Sequence, residues 1–405
     1  MSEEEAQNRT LKDEKTIIPN RRRFLQLTGA AGGAIALGGG TVAGQEDSKI
    51  SDGDDLPEIR VVGTGGTIAS TQEAAEDGGY SLDERAEAIV ESVPLLSEIA
   101  EITHDQPVDK PSPFLTAEDF TIVTEAIEEA ASEGVDGVVV TSGTDAVEEQ
   151  AFFQDLVLDL DIPVVFVGAM RPADAISADG PANLVSAVRV CARSEFHLSD
   201  EPSGVYVVMN DTIHAARDVR KAHTSRVDTF DSGIAGPIGI LADGEIVLHR
   251  SPGSYTVNLP SDNLGEIPEM NVPIAGNGAG HDAYILEQAI AGDYDVDGIV
   301  VATTGNGGTQ PPIREATSEA AEEGIPVATS TRVYWGAMST GPYPEFEEGS
   351  PVSMEDIPPW KARLLMMVAI SATESHSEIS NEQKMVQYAV YESKYGSEDI
   401  QPSAY

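Results

Sequence analysis

The sequence predicts an α/β protein with a larger N-terminal domain on a parallel or mixed sheet and a smaller C-terminal α/β domain. Three observations carry that expectation. From Pro57 onward short β-rich runs alternate with helical ones, the pattern of strands joined by crossover helices. Between Ser251 and Pro273 the alternation lapses into Pro, Gly, Asn and Ser, and then restarts. Glycine and hydroxyl residues cluster after three of the strands, where a parallel sheet opens its carboxyl edge. At 405 residues, 40% of them apolar, the chain has room for two cores of ordinary size.

Residues 1–44 stand apart. Asn20-Arg21-Arg22-Arg23-Phe24-Leu25-Gln26 leads into a weakly apolar, glycine-rich run to Gly44, which resembles a Tat-type export signal and predicts an extracellular or cell-surface protein. A basic patch before a short helix would read the same way. Residues 45–57 form an acidic linker rich in Asp, Ser and Gly. No later apolar run reaches the ~20 residues that span a bilayer.

The larger domain is expected over 58–250. Its first strand starts near Ile59 and breaks at Gly63, Gly65 and Gly66. Val135–Thr141 reads as a buried strand, Ala146–Leu158 as an amphipathic helix, Ile162–Val167 as a strand, Pro181–Ala192 as a helix and Val205–Met209 as a strand. Ile238–Leu241 and Ile246–His249 flank Ala-Asp-Gly-Glu, a hairpin signal. Residues 251–273 read as an interdomain linker. The smaller domain, 274–396, repeats the alternation: helix Ala283–Ala291, strand Gly298–Ala302, helix Ile313–Glu323, strand Pro326–Ser330, helix Pro359–Thr373 and a charged helix near Asn381–Ser393.

Charge excludes whole classes of partner. With 69 acidic against 24 basic side chains the net charge is −45, which repels nucleic acid and anionic membranes. The acids are scattered through helices and loops as a solvated shell. Such self-repulsion is tolerable where molar salt cuts the screening length to about 3 Å, so a halophilic source is inferred. The single cysteine, Cys191, cannot form an intrachain disulfide and reads as a small buried residue. Seven histidines show no H-E-x-x-H spacing and no cysteine partners, so no metal is expected. No Walker loop or G-x-S-x-G elbow appears, and no cofactor is expected.

Three clusters carry the chemistry. In Gly63-Thr64-Gly65-Gly66-Thr67 the glycines let the backbone approach a ligand, and Thr67 supplies an oxygen nucleophile that needs a base. An ordinary strand-to-loop turn would look alike, and with Ile68 at the third position a dinucleotide fingerprint is not specified. The second cluster is Thr141-Ser142-Gly143-Thr144-Asp145, at the same sheet edge. There Asp145 with Glu148 also fits a plain capping box. The third runs from Met209-Asn210-Asp211-Thr212 to Arg217-Asp218-Val219-Arg220-Lys221. Lys221 is either a surface lysine or a base close to a threonine hydroxyl.

Together with Tyr80, Ser112, Glu148-Glu149, Val167-Gly168-Ala169-Met170-Arg171-Pro172, Ser177-Ala178-Asp179-Gly180-Pro181 and Gly305-Asn306-Gly307, these clusters stand in an order and spacing that resemble the bacterial-type L-asparaginases of the asparaginase/glutaminase family, over residues 58–373. The resemblance implies hydrolysis of the side-chain amide of L-asparagine through an acyl-enzyme. It makes Thr67 the nucleophile with Tyr80 nearby, and Thr144 with Lys221 a second hydroxyl–base unit. Asp145 would hold the substrate α-ammonium and Ser112 its α-carboxylate. Backbone N–H groups near Gly143, Thr144 and Ala169 would face the oxyanion. It also implies a homo-oligomer, a tetramer built as a dimer of dimers, with an acidic residue near Glu345 lent across subunits. Ser142 stands where many relatives have histidine, and Gly308 where asparagine is frequent, so glutamine is an alternative substrate. The amidase subunit of a tRNA-dependent amidotransferase and an exported solute-binding protein are the other readings. The charge and the leader count against the first, and the lack of a lipid-anchoring cysteine after the leader counts against the second.

Overall fold

The computed structural model describes residues 56–65, 86–199, 201–256, 258–259, 264–292, 295–338 and 351–375. The leader 1–44, most of the acidic linker, Thr67, Tyr80, Glu345 and the helix expected near Asn381–Ser393 lie outside the described residues.

The larger lobe runs β1 (Glu58–Gly63), α1 (Ala86–Glu91), β2 (Glu101–Asp105), α2 (Ala117–Glu133), β3 (Gly137–Thr141), α3 (Val147–Val157), β4 (Val164–Val167), α4 (Gly180–Cys191), β5 (Val205–Met209), β6 (Thr212–Ala215), β7 (Arg220–Lys221), β8 (Phe230–Asp231), β9 (Gly239–Ala242) and β10 (Glu245–Leu248). Among the described residues its main sheet has eight strands in the order β10-β9-β6-β5-β4-β3-β1-β2. Strands β2, β1, β3, β4 and β5 run parallel, and β6, β9 and β10 are added antiparallel. Every residue of β3, β4 and β5 is buried. Central parallel strands are covered on both faces, which is why Val-Val-Val and Val-Val-Phe-Val read as continuous apolar runs. At the hairpin between β9 and β10, Asp243 and Gly244 both take positive φ (54° and 87°), the geometry that an Asp-Gly pair favours in a two-residue turn.

The smaller lobe comprises β11 (Ile274–Gly276), α5 (Tyr284–Ala291), β12 (Ile299–Thr303), α6 (Pro311–Glu322), β13 (Val327–Thr331), β14 (Val352–Ser353) and α7 (Pro359–Ser375). Among the described residues its four strands are parallel in the order β11-β12-β13-β14. Helix α7 packs on β12 and β13 and also on α3 of the larger lobe. The large buried cluster is therefore continuous from Ile59 and Val139 to Leu365 and Val368.

That docking changes the reading of α3. The sequence predicts an amphipathic helix with a solvated face. Ten of its eleven residues are buried, including Glu148, Gln150, Gln154 and Asp155. Its polar positions turn inward to partners: Gln154 Nε2 donates to Phe120 O at 3.0 Å and Gln154 Oε1 accepts from Thr124 Oγ1 at 3.0 Å. The segment 251–273 is likewise fastened, since Leu259, Ile267 and Val272 are buried and Thr256 Oγ1 reaches Asp155 Oδ2 at 2.8 Å.

Asp155 is fully buried, and burial pushes its carboxyl up to about 6 from an ordinary 3.8. A raised acid binds its proton more tightly folded than unfolded, so it costs stability as pH rises from about 4 through about 6. Asparagine can still accept from Val205 N–H, now 3.1 Å from Oδ1, and can donate to Thr256 Oγ1. Asp155→Asn is therefore expected to stabilise the fold by about 1–3 kcal/mol at pH 8, with the gain vanishing below pH ~4. Denaturant unfolding at the two pH values measures it. A loss of stability at pH 8 would show that the charge itself is needed.

Candidate active site

The parallel strands run in the order β2-β1-β3-β4-β5. The chain leaves β1 toward one side and β3 toward the other, which opens a crevice between their carboxyl ends, the usual ligand site of such sheets. Gly63 stands opposite Thr141. Thr64 donates both its N–H (2.9 Å) and its Oγ1–H (3.0 Å) to Thr141 O, which ties the start of the first glycine turn to the start of the second. Gly65 has φ 84°, and a Cβ there would lie 2.6 Å from Lys110 O. The chain therefore passes close to the segment that leads to Ser112, a buried residue opening the 3₁₀ turn Ser112–Phe114. The described chain stops at Gly65, two residues short of Thr67.

The far wall is equally tight. Ser142 N–H donates to Val167 O at 2.8 Å, and a Cβ on Gly168 would meet Ser142 O at 2.6 Å and Thr144 Cγ2 at 3.1 Å. Only glycine lets the ends of β3 and β4 press together so that Thr144 lies against Gly168, next to buried Ala169 in the chain. Asp179 accepts the N–H groups of Met170 and Arg171 at 3.0 and 2.9 Å. Asn183 Nδ2 donates to Gly168 O at 3.0 Å. These bonds fix the Ala169 backbone from behind. Ser142 is buried beside Gln150, its Oγ 3.4 Å from Gln150 Oε1.

Strand β7 delivers Lys221. Lys221 Nζ donates to Thr144 Oγ1 at 2.9 Å and to Asp145 Oδ1 at 2.5 Å. The Lys221 side chain is 15% exposed and Asp145 58% exposed, so the lysine is no free surface residue. The capping box does not form either. Ala146 is the N-cap of α3 and no side chain caps it, while Glu148 Oε2 instead accepts the backbone N–H of Lys221 at 2.9 Å. Thr144, Asp145 and Lys221 thus form one hydrogen-bonded unit beside Gly143 at the mouth of the crevice.

Sequence reasoning missed the layer behind that unit. Burial pushes Glu148 up, against the pull of Lys361, the Lys221 N–H and Arg220. Burial pulls Lys361 down to about 8, against Glu148. Burial also raises Glu149 to about 7, with Glu148 adding to it. Lys361 carried one sequence signal, a lysine inside the apolar run of α7. Its partners lie more than 140 residues away and left no local trace. Among the described residues no group of three or more His, Cys, Asp or Glu is placed to hold a metal, and no helix is long and apolar enough to cross a membrane.

Similarity to known proteins follows the same two lobes. The family model of the N-terminal asparaginase domain matches residues 58–253, and that of the glutaminase/asparaginase C-terminal domain matches 271–381. L-asparaginase 2 of Escherichia coli (strain K12) is 36% identical over 328 residues, covering 80% of this chain and 92% of that protein. L-asparaginase 2 of Bacillus subtilis (strain 168) is 34% identical over 340 residues, covering 82% and 87%. The crystal structure of a probable cytoplasmic L-asparaginase from Campylobacter jejuni superposes with a TM-score of 0.71 at 32% identity, over 84% of this chain and all of that one. With both domain models matched in order across a two-lobed α/β fold, the chain belongs to the asparaginase family.

Proposed function

We propose that this chain hydrolyses the side-chain amide of L-asparagine to L-aspartate and ammonia. The observation that carries the reading is the Thr144–Lys221–Asp145 unit at the carboxyl end of β3, next to the turn that leads to Thr67. In the reaction, Thr67 Oγ attacks the amide carbon, the C–N bond breaks, and ammonia leaves with a proton delivered by the site. Water then attacks the acyl ester and regenerates the hydroxyl. Lys221, held on Thr144 Oγ1, relays protons for these steps. Asp145 Oδ1 is on Lys221, which leaves Oδ2 for the substrate α-ammonium, and Ser112 takes the α-carboxylate. Backbone N–H groups at Gly143, Thr144 and Ala169 stabilise the oxyanion. The working form is an exported homo-oligomer adapted to high salt, supported by the twin-arginine leader and the net charge of −45; the two lobes follow the boundaries 58–250 and 274–396.

Ammonia release by the purified chain from L-asparagine, with L-glutamine in parallel and neither ATP nor a partner present, tests the reading across a salt series. No release at any salt concentration overturns it. Light scattering on the same series tests the assembly, and a fully active monomer at low salt would remove the oligomeric and halophilic parts.

Asp145→Asn separates recognition from folding. The carboxylate caps no helix and is mostly exposed, so stability should change by less than ~0.5 kcal/mol. Loss of a charge-assisted contact to the substrate ammonium should raise KM and lower kcat/KM by about 10- to 100-fold. Lower stability with unchanged kinetics would return Asp145 to a structural role.

A further inference from the structure

Lys361 is a lysine with no exposure, on a helix of the smaller lobe, whose three donors are all spent on the larger one. Its Nζ donates to Ala216 O at 2.8 Å, Arg217 O at 3.0 Å and Val219 O at 2.7 Å, and lies 5.2 Å from the centre of the Phe152 ring on α3. An ammonium has three N–H bonds to give and a neutral amine two, so the arrangement suits the charged form. The carbonyls it gathers belong to the short loop between β6 and β7, which leads through Arg220 to Lys221.

The same loop is fastened to the smaller lobe at two further points. Arg217 Nη2 pairs with Asp356 Oδ1 at 3.0 Å. Arg220 Nη1 donates to Tyr334 O at 2.7 Å, and Nη2 donates to Asp356 O. Beyond the loop, Lys221 is held by its N–H on Glu148 and by its Nζ on Thr144 and Asp145. The Lys221 backbone is thus held by β8, with which β7 pairs, by α3 and by contacts from the smaller lobe, and Lys361 is the group that gathers three carbonyls of the approach.

We propose that Lys361 is a positioning residue for the hydrolysis: its ammonium clamps the carbonyls of Ala216, Arg217 and Val219 and so fixes where Lys221 meets Thr144. The proposal rests on the role given to Lys221 above. It makes the domain seam part of the catalytic machinery, because α7 holds the loop that leads to Lys221. The charged groups facing Lys361 are Glu148 and Glu149 on α3 and Arg217, Asp218 and Arg220 on the loop and β7. Of these Glu148 also touches Lys221, so a change at Lys361 is felt at the Lys221 amide through two routes.

Two variants of the full chain test this. Lys361→Met removes all three donors, and Lys361→Arg keeps the charge but offers a planar fork where three bonds radiate from one nitrogen. Expected for Lys361→Met is a fall in kcat of ~30-fold or more with KM within ~3-fold, and for Lys361→Arg a fall of ~5-fold or more. In both, the apparent pKa of the kcat–pH profile should move by ~0.5 unit or more, which a smaller fraction of folded enzyme would not cause. Amide hydrogen exchange at residues 216–221 should quicken in both. A folded variant whose kcat–pH profile superimposes on that of the wild type, or whose loss lies in KM alone, overturns the proposal. If Lys361→Met does not fold, Lys361→Arg decides by the same criteria. Should the wild type release no ammonia, the functional reading has failed, and unchanged exchange at 216–221 in Lys361→Arg would overturn the clamp independently.

Discussion

Thr67→Ala is expected to lower kcat on L-asparagine by about a thousand-fold or more while KM stays within a few-fold. The nucleophile contributes to bond making and little to ground-state binding, so its loss falls on kcat. Thr67 follows a strand whose end is tied by Thr64 to Thr141 and whose turn at Gly65 presses on Lys110. Retention of more than about a tenth of wild-type turnover, a loss of only ~1.4 kcal/mol in transition-state stabilisation, would assign the attack to another residue. Binding of L-aspartate, followed by calorimetry, should survive the substitution.

Lys221→Met should cost a similar amount by a different route. The fold is expected to hold, since Glu148 accepts the backbone N–H of residue 221 and not its side chain. What goes is the ammonium 2.9 Å from Thr144 Oγ1, and proton transfer by a placed group is worth about a hundred- to ten-thousand-fold. The sign of the KM change is the sharper readout. Lys221 occupies Asp145 Oδ1 at 2.5 Å and so competes with a substrate ammonium for the same carboxylate. Removing it should leave KM unchanged or lower it, whereas Asp145→Asn raises it. A Lys221→Met variant with higher KM and kcat within ten-fold of wild type would make the lysine a binding group instead.

Five of the strands that were legible share one property. Strands β3, β4, β5, β12 and β13 lie inside their sheets, so both faces are largely buried and β-branched or small residues run through them. Observed boundaries shift by one or two residues, as at Gly137 against an expected Val135. Four of the strands that were missed have too little apolar surface to leave a pattern. Edge strand β2 reads Glu-Ile-Thr-His-Asp with no buried residue, and β14 and the β7–β8 pair are two residues long. Yet β7 is the strand that carries Lys221.

By itself the sequence determined the α/β class, the two-lobed order, the three glycine–hydroxyl clusters and the family, because these depend on local pattern and on motifs in a fixed order. It left two readings at Asp145 and two at Lys221, and it read α3 as an amphipathic helix. Tertiary structure decided those points. The Lys221 ammonium, 76 residues along the chain, takes Asp145 away from the helix N-terminus, and helices α2 and α7 together with the segment at Thr256 cover α3. A capping box and an ion pair use the same side chain, and burial of a helix face depends on what docks against it. Neither is encoded within one segment; both follow from which distant segments the sheet edge brings together.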